Sequence, residues 1–374
     1  MNHRSIIIGF AIGIVLGSGL TWLAMTTVST DPFFAPILIS PPPPLPEDTD
    51  PLEDNAALAY WQAMDLLAGY LKANPTIEPA LSEYMREVEI EPTPDLRERI
   101  ENLWDDFWAD LDRAVAKPFC HFGIAREEGM MATLPHLQGM RQCGAIMLID
   151  AQAALDDEDG ERAARRLASC LRIASHIGED RTTISSSIAM RILMKAERLV
   201  RSGLERDMFN AEAREVLVAE IQRISSQDPL GMMSSLVADH DWLVPWMQRT
   251  YGVPGGLRAY NDLVMPPATV LGITTQREMN LALQALGEYM GEVVEAYKEA
   301  DPDLARRKIS DIAQRMDADP DGAMARRVAG KFVSDWYDQL IDVRQRLSSL
   351  AGDLSGQWPA ESNAEPAKDK TSAD

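Results

Sequence analysis

Histidine is the side chain best suited to proton transfer near neutral pH, and four histidines lie beyond the N-terminal segment. They are His121, His136, His176 and His240. His240 stands between two aspartates, which could orient its imidazole as a general base. Neighbouring residues on an α-helix point in different directions, however, so the sequence alone does not predict a histidine–carboxylate pair there. The spacing of the four also lacks any metal-ligand pattern such as His-Glu-x-x-His, and we expect no cofactor.

A group of aspartates near the C-terminus could bind a hard cation. Asp317, Asp319, Asp321 and the glycine that follows match the first half of an EF-hand calcium loop. The twelfth position of such a loop supplies a bidentate glutamate, but Val328 stands there. The sequence therefore predicts a weak calcium site at most. The alternative is a turn that caps the next helix, with Asp321 near its positive end.

Three cysteines are too few for a disulfide framework, and an odd count leaves at least one thiol unpaired. Cys143 and Cys170 lie 14 residues before and 13 residues after Asp157, where a turn is expected. Two antiparallel helices joined there would bring both thiols to the same level, so a disulfide between them is one prediction. The alternative is that both are free thiols that fill apolar space.

The composition excludes one class of function and provides no motif for nucleophilic catalysis. The net charge of −22 repels phosphate backbones, so we expect no nucleic-acid binding. From Asp31 onward the sequence contains no Gly-x-Ser-x-Gly, Ser-x-x-Lys or phosphate-binding glycine loop. The serines at positions 185–187 have no nearby basic activator, and their simplest role is to begin or line a helix.

A basic stretch contrasts with this acidity. Residues 162–206 contain ten Lys or Arg residues against four acidic ones, a local balance of +6. Arg191, Lys195 and Arg198 fall on one face of a helix, at i, i+4 and i+7. They could form a docking surface for an acidic protein, a wall polymer or anionic headgroups. Acidic helices of the same chain, such as residues 101–112, could instead neutralise the basic stretch.

Helical periodicity dominates residues 54–350 and predicts an all-α fold, either a multi-helix bundle or a short array of helical hairpins. The clearest apolar stripe covers residues 100–115, and its aromatic side chains are expected in the core. Thr275 and Glu278 have capping-box spacing and mark one helix start. Prolines and glycines in residues 229–274 predict short helices and loops. Further helices are predicted at residues 55–72, 137–155, 161–177, 184–200, 211–224, 277–300, 304–316 and 323–350.

The N-terminal segment predicts a membrane anchor. Residues 5–30 carry no charged side chain, and the apolar stretch exceeds the roughly 20 residues that a helix needs to cross a bilayer. Arg4 precedes it and acidic residues follow, which predicts a cytoplasmic N-terminus and an extracytoplasmic body. A cleaved signal peptide is the alternative, although the apolar core is long for one. Gly9, Gly13 and Gly17 would share one helix face, where a second copy could pack to form a homodimer.

Two further segments flank the helical body. Prolines crowd residues 31–53 and predict an extended spacer between the anchor, residues 1–30, and the body, residues 54–350. Residues 351–374 are polar and are predicted to form a disordered tail.

One predicted hairpin resembles a tetratricopeptide-type helix pair. Within residues 137–177 an apolar helix is followed by a short acidic turn, and Asp-Gly-Glu-Arg-Ala-Ala, starting at Asp159, opens the second helix as in that family. The order of anchor, spacer and acidic helical body also resembles uncharacterised membrane-anchored proteins of bacterial envelopes. The first resemblance implies a surface for protein partners, and the second implies no particular activity.

These features favour a single-pass membrane protein of the cell envelope that binds a protein partner rather than an enzyme. The prediction depends on placement and on the missing catalytic motifs. The alternative is a hydrolase-like envelope enzyme with a site assembled from residues distant in sequence. Histidines that meet a carboxylate or Cys120 in one deep pocket would favour the enzyme.

Overall fold

Helices form nearly all of the regular structure in the described part of the chain. The computed structural model describes residues 53–355, except residues 126–127, 129–131, 225–226, 265–266 and 329. The N-terminal helices are α1 (Ala57–Ala73), α2 (Ile77–Tyr84), α3 (Pro94–Glu101) and α4 (Asp105–Val115). The central helices are α5 (His136–Asp156), α6 (Gly160–Gly178), α7 (Thr183–Glu205) and α8 (Ala211–Arg223). The C-terminal helices are α9 (Met232–Ala238), α10 (Val244–Tyr251), α11 (Gly256–Leu263), α12 (Gln276–Tyr297), α13 (Pro302–Ala318), α14 (Ala323–Val328) and α15 (Gly330–Leu354). Within these residues the predicted all-α fold is confirmed.

Short helical turns connect several of these helices. The 3₁₀ turns are Pro229–Gly231, Ala268–Leu271 and Pro320–Gly322, and a π-helical turn covers Asp239–Leu243 between α9 and α10. They lie mainly in the segment whose prolines and glycines predicted short helices and loops.

Polar side chains cap the starts of several long helices. The Asp159 side chain accepts a hydrogen bond from the backbone N–H of Arg162 at the start of α6. Thr182 does the same for Ser185 at the start of α7. The predicted capping box of Thr275 is present at α12. These bonds satisfy N–H groups that the first turn of a helix leaves without a partner.

Helix α5 lies at the centre of the core. It is buried on nearly every side, and four successive residues from Ile146 are at most 1% exposed. Helices α1, α3, α6 and α7 pack around it. The contacts show that α5 and α6 are antiparallel: His136 at the start of α5 meets Asp180 just beyond α6, while Asp150 near the end of α5 meets Arg162 at the start of α6.

The single helix predicted for residues 100–115 is two helices. Helix α3 ends at Glu101 and α4 begins at Asp105, with Trp104 extended at ψ 142° between them. Phe107 and Leu111 of the apolar stripe are buried as expected, but Trp104 is 47% exposed. The break turns this tryptophan out of the core because an extended residue does not continue the helical face.

Several predictions concern residues outside those described. They include the membrane span, the glycines at positions 9, 13 and 17, the proline-rich spacer up to residue 52, and the tail from residue 356. Among the described residues, no helix combines the length and apolarity needed to cross a bilayer. Helix α15 continues to Leu354, beyond the predicted start of the tail at residue 351.

Candidate functional site

Residues from four separate segments converge beside the turn between α6 and α7. We call them the turn cluster, and its members are Cys120, His136, His176, Glu179, Asp180 and Ser185. Two of the four predicted histidines thereby belong to one cluster, and His136 meets a carboxylate. His121 lies on the adjacent segment, where its backbone N–H and C=O bind the side chain of Asn55.

One half of the turn cluster is centred on a buried aspartate. The imidazole Nε2 of His136 donates to Asp180 Oδ2 at 2.6 Å, and both side chains are only 2% exposed. The Ser185 hydroxyl donates to the same oxygen at 3.0 Å and lies 2.7 Å from the hydroxyl of Thr182. Buried polar groups are costly without partners, and here each stabilises the next.

The other half contains a neutral histidine. His176 Nε2 donates to the carbonyl of Lys117 at 3.2 Å, so its Nδ1 is the acceptor for the Tyr60 hydroxyl at 2.9 Å. Burial, assisted by the nearby Arg172 guanidinium, lowers the pKa of His176 to about 3. Burial also raises the pKa of Tyr60 well above its ordinary value. Neither group changes its charge near neutral pH.

Glu179 of the turn cluster has a pKa that is raised toward neutrality. Its Oε2 accepts a hydrogen bond from the backbone N–H of Cys120 at 2.7 Å. Burial raises the pKa of Glu179 to about 7, although this hydrogen bond opposes the rise. The Cys120 thiol has its pKa raised by burial and then by the carboxylates of Asp180 and Glu179, so it is held protonated.

Aromatic rings pack against His136 of the turn cluster. Phe122 stacks on His136 with centroids 4.0 Å apart and planes 12° from parallel. Trp61 meets the same imidazole edge-on at 6.5 Å. Five of the six side chains of the turn cluster are buried, and Glu179 is partly exposed.

The order of contacts in the turn cluster does not match nucleophilic catalysis. A catalytic serine requires a base that touches its hydroxyl, with the carboxylate behind that base. Here the carboxylate of Asp180 lies between Ser185 and His136 and binds both. The cysteine is protonated and the serine is fully buried, so the arrangement fixes a turn and its neighbours.

The opposite end of the α5–α6 hairpin carries charges instead, and we call it the aspartate–arginine end. Asp150 on α5 is 4% exposed and accepts from Arg162 and, at 2.6 Å, from Arg166. Arg166 also pairs with Asp112 of α4 at 2.7 Å, and its guanidinium lies 4.5 Å from the Trp108 ring centroid. These arginines are partly exposed. The charge of the buried Asp150 carboxylate is therefore stabilised by ion pairs with side chains that reach solvent.

An open groove separates α12 from α13. Pairing of Tyr289 with Asp319 and of Glu299 with Lys308 shows that the two helices are antiparallel. The groove has a volume of about 970 Å³, and His240 of the π-helical turn lies along its edge. Enclosed sites for small molecules are usually of similar or smaller volume, but this one is an open trough.

His240 has the carboxylate partner that helical spacing argued against. Its Nδ1 donates to Asp241 Oδ1 at 2.8 Å, a contact between adjacent residues. The π-helical turn changes the angle between successive side chains, which an α-helix would hold apart. Close packing against α12 is possible because Gly291 has no side chain: a Cβ there would lie 3.1 Å from His240 Nε2.

The predicted calcium residues form a capped turn whose carbonyl groups are bound by an arginine side chain. Asp319 accepts hydrogen bonds from the backbone N–H of Asp321 at 2.9 Å and from the Tyr289 hydroxyl at 3.0 Å. The Arg326 guanidinium binds carbonyl oxygens on the same loop, including that of Asp319 at 2.7 Å. The described residues contain no group of carboxylates arranged to hold a metal ion, and Asp317 joins none. The observed cap is made by Asp319, and it closes the 3₁₀ turn Pro320–Gly322 that leads into α14.

Both cysteines of the predicted disulfide are free thiols. Cys143 and Cys170 are completely buried in the α5–α6 interface, and the structure contains no bond between them. Burial raises the pKa of Cys143 to about 12 and that of Cys170 further, which holds both in the unreactive thiol form. They pack as apolar side chains.

The three basic residues of the predicted docking surface bind the chain's own backbone. Arg191 and Arg198 donate to carbonyls in residues 85–91 at 2.8 and 2.9 Å. Lys195 donates at 3.2 Å to the same carbonyl as Arg198 and at 3.1 Å to one further carbonyl. Lys195 also stands 4.0 Å from the Tyr84 ring centroid and is 3% exposed. Donors of all three are thus used within the chain, although Arg198 remains exposed, and the docking surface stays a prediction. The acidic neutralisation expected from residues 101–112 occurs at Arg166 instead.

Comparison with protein-family models, curated proteins and solved structures gave no match.

Proposed function

We propose that this chain is a membrane-anchored, extracytoplasmic helical protein whose body binds a partner along the groove between α12 and α13. The observation that supports this function is the contrast between the groove and the turn cluster. The groove is open, whereas the cluster with residues suited to chemistry is buried and has its donors and acceptors paired. The proposed placement depends on the charge-free segment at residues 5–30.

The test is affinity capture with the full-length protein, solubilised in detergent, from cross-linked envelopes of the source organism. A partner that uses the groove should be enriched by the wild type and lost with the charge-reversing variant Glu288→Lys/Asp311→Lys. A matched variant, Glu101→Lys/Glu205→Lys, reverses two exposed carboxylates on other helices and should retain it. Repeated capture with nothing enriched over an unrelated anchored bait would reject the function.

A second candidate is favoured by the pair of His240 and Asp241. A carboxylate that fixes one imidazole nitrogen leaves the other as a possible general base at the edge of the groove. A hydrolase of this type should turn over a chromogenic acetate ester, and His240→Asn should abolish that turnover. Equal rates in the wild type and in the variant would remove the candidate.

A further inference from the structure

The charges along the groove do not balance. The α12 side presents four glutamates, and α13 contributes Asp311, against three cations. Each cation is paired with a groove carboxylate: Arg315 with Glu292, Lys308 with Glu299, and Lys298 with Glu295 at 2.6 Å.

Two carboxylates have no ion-pair partner within 4 Å among the described residues. Glu288 accepts a hydrogen bond from the neutral Gln284 at 2.8 Å, and Asp311 acts only at longer range on the Arg315 guanidinium, which is already paired with Glu292. The five carboxylates and three cations of the groove give an excess of two negative charges, and the two carboxylates outside ion pairs lie on opposite walls. Its cations are already engaged, so an anionic ligand would have to break existing pairs.

The shape of the groove favours an extended chain. Its lining residues along α12 and the two positions after it run from Gly287 to Glu299, which at about 1.5 Å per residue is a length of about 18 Å. An extended peptide covers that length with five to six residues at roughly 3.3 Å each. The buried side chains of Ala296 and Ile312 give the groove an apolar base between its charged walls.

We propose that the groove binds a basic, extended peptide segment of the partner, with cationic side chains set against Glu288 and Asp311 and apolar side chains on the base. The inference rests on the proposed function, and it specifies the chemistry of the partner. Side chains of an extended peptide alternate in direction, so a sequence that alternates basic and apolar residues meets both walls and base. Charge complementarity sets the choice among partners and speeds the encounter.

The probe is a fluorescein-labelled heptapeptide of alternating lysine and leucine, titrated into the full-length protein in detergent and followed by fluorescence anisotropy. The double variant Glu288→Gln/Asp311→Asn should weaken binding about tenfold, since each exposed ion pair contributes a few-fold. The control, Glu101→Gln/Glu205→Gln, removes the same charge elsewhere and should change binding less than twofold. A heptapeptide of alternating glutamate and leucine should not bind.

The control is essential because a chain with a net charge of −22 attracts any polycation. Equal weakening by the two double variants would mean nonspecific attraction and would overturn the inference. If the variant Glu288→Lys/Asp311→Lys still captures the same partner, the inference about the groove is overturned, but the proposal that the protein binds a partner is not. Failure of the capture experiment itself would remove the proposed function as well.

Discussion

The two ends of the α5–α6 hairpin handle polar groups in opposite ways. At the turn cluster His136, Asp180 and Ser185 are almost completely buried and satisfy one another. At the aspartate–arginine end the buried carboxylate of Asp150 is matched by arginines that reach solvent. The same two helices therefore have one end stabilised by short hydrogen bonds in a dry environment and the other by ion pairs near water.

The difference predicts different responses to the solution. A dry hydrogen-bond network responds to protonation and to the loss of a single partner, because water cannot replace that partner. Partly exposed ion pairs respond to salt, because mobile ions screen them.

The largest effect is expected from Asp180→Ala. The substitution removes the acceptor shared by His136 and Ser185 and leaves both buried without it, so unfolding should become easier by about 3–5 kcal/mol. Urea denaturation followed by circular dichroism measures the change. Asp180→Asn keeps an oxygen of similar shape and should cost less. A loss below about 1 kcal/mol for the alanine variant would mean that the turn cluster is not an important source of stability.

The next effect is a dependence on pH at the same end. The pKa of Glu179 is near 4.5 when unfolded and about 7 when folded, so folding favours the protonated form. Its contribution is fully present below about pH 4.5, is lost as the pH rises to about 7, and is constant above that. We expect the stability of the wild type relative to Glu179→Gln to fall by about 3 kcal/mol across this window.

Urea midpoints at pH 4.5, 6 and 8 test this. Glutamine still accepts the bond from Cys120 but does not ionise, so it isolates the titration from the contact. A difference between the two proteins that stays constant with pH would contradict the raised pKa. A difference that grows with pH in favour of the wild type would reverse its direction.

The smallest effect is expected at the aspartate–arginine end. Asp150→Asn weakens the pairs with Arg162 and Arg166, but the arginines can turn to water and Arg166 retains Asp112, so we expect a loss of about 1–2 kcal/mol. The loss should shrink between 0.1 and 1 M NaCl, where the screening length falls from about 10 to about 3 Å. The loss from Asp180→Ala should not shrink. Equal salt responses at the two ends would erase the distinction between them.

Much of the helical architecture follows from local sequence. The capping box at Thr275 and the apolar periodicity of α5, α6 and α7 each depend on a few neighbouring residues, and the structure places these helices within a few residues of the predicted bounds. The break between α3 and α4 is not predicted by the apolar stripe. The start of α3 does carry a sequence signal, since Thr93 caps the helix and Pro94 lies in its first turn, but these residues precede the stripe.

The candidate sites depended on contacts that spacing does not show. Cys120, His136 and Asp180 come together only because two helices fold back beside the segment that carries Cys120. His240 and Asp241 meet because of a π-helical turn, and residue spacing does not distinguish that turn from an α-helix. For the basic stripe, helical spacing correctly placed three cations on one face but gave no sign of the carbonyls in residues 85–91 that meet it.

The guanidinium of Arg326 has a consequence for how the loop at residues 317–321 is regulated. A calcium loop becomes ordered only when the concentration of the free ion is high enough. Here the cation is a side chain of the same protein and is present at every ion concentration. Its effective concentration at the loop carbonyls of Asp319 and Asp317 is set by a separation of seven and nine positions along the chain rather than by the medium. Because a guanidinium keeps its charge at any physiological pH, the loop is permanently loaded and indifferent to chelators.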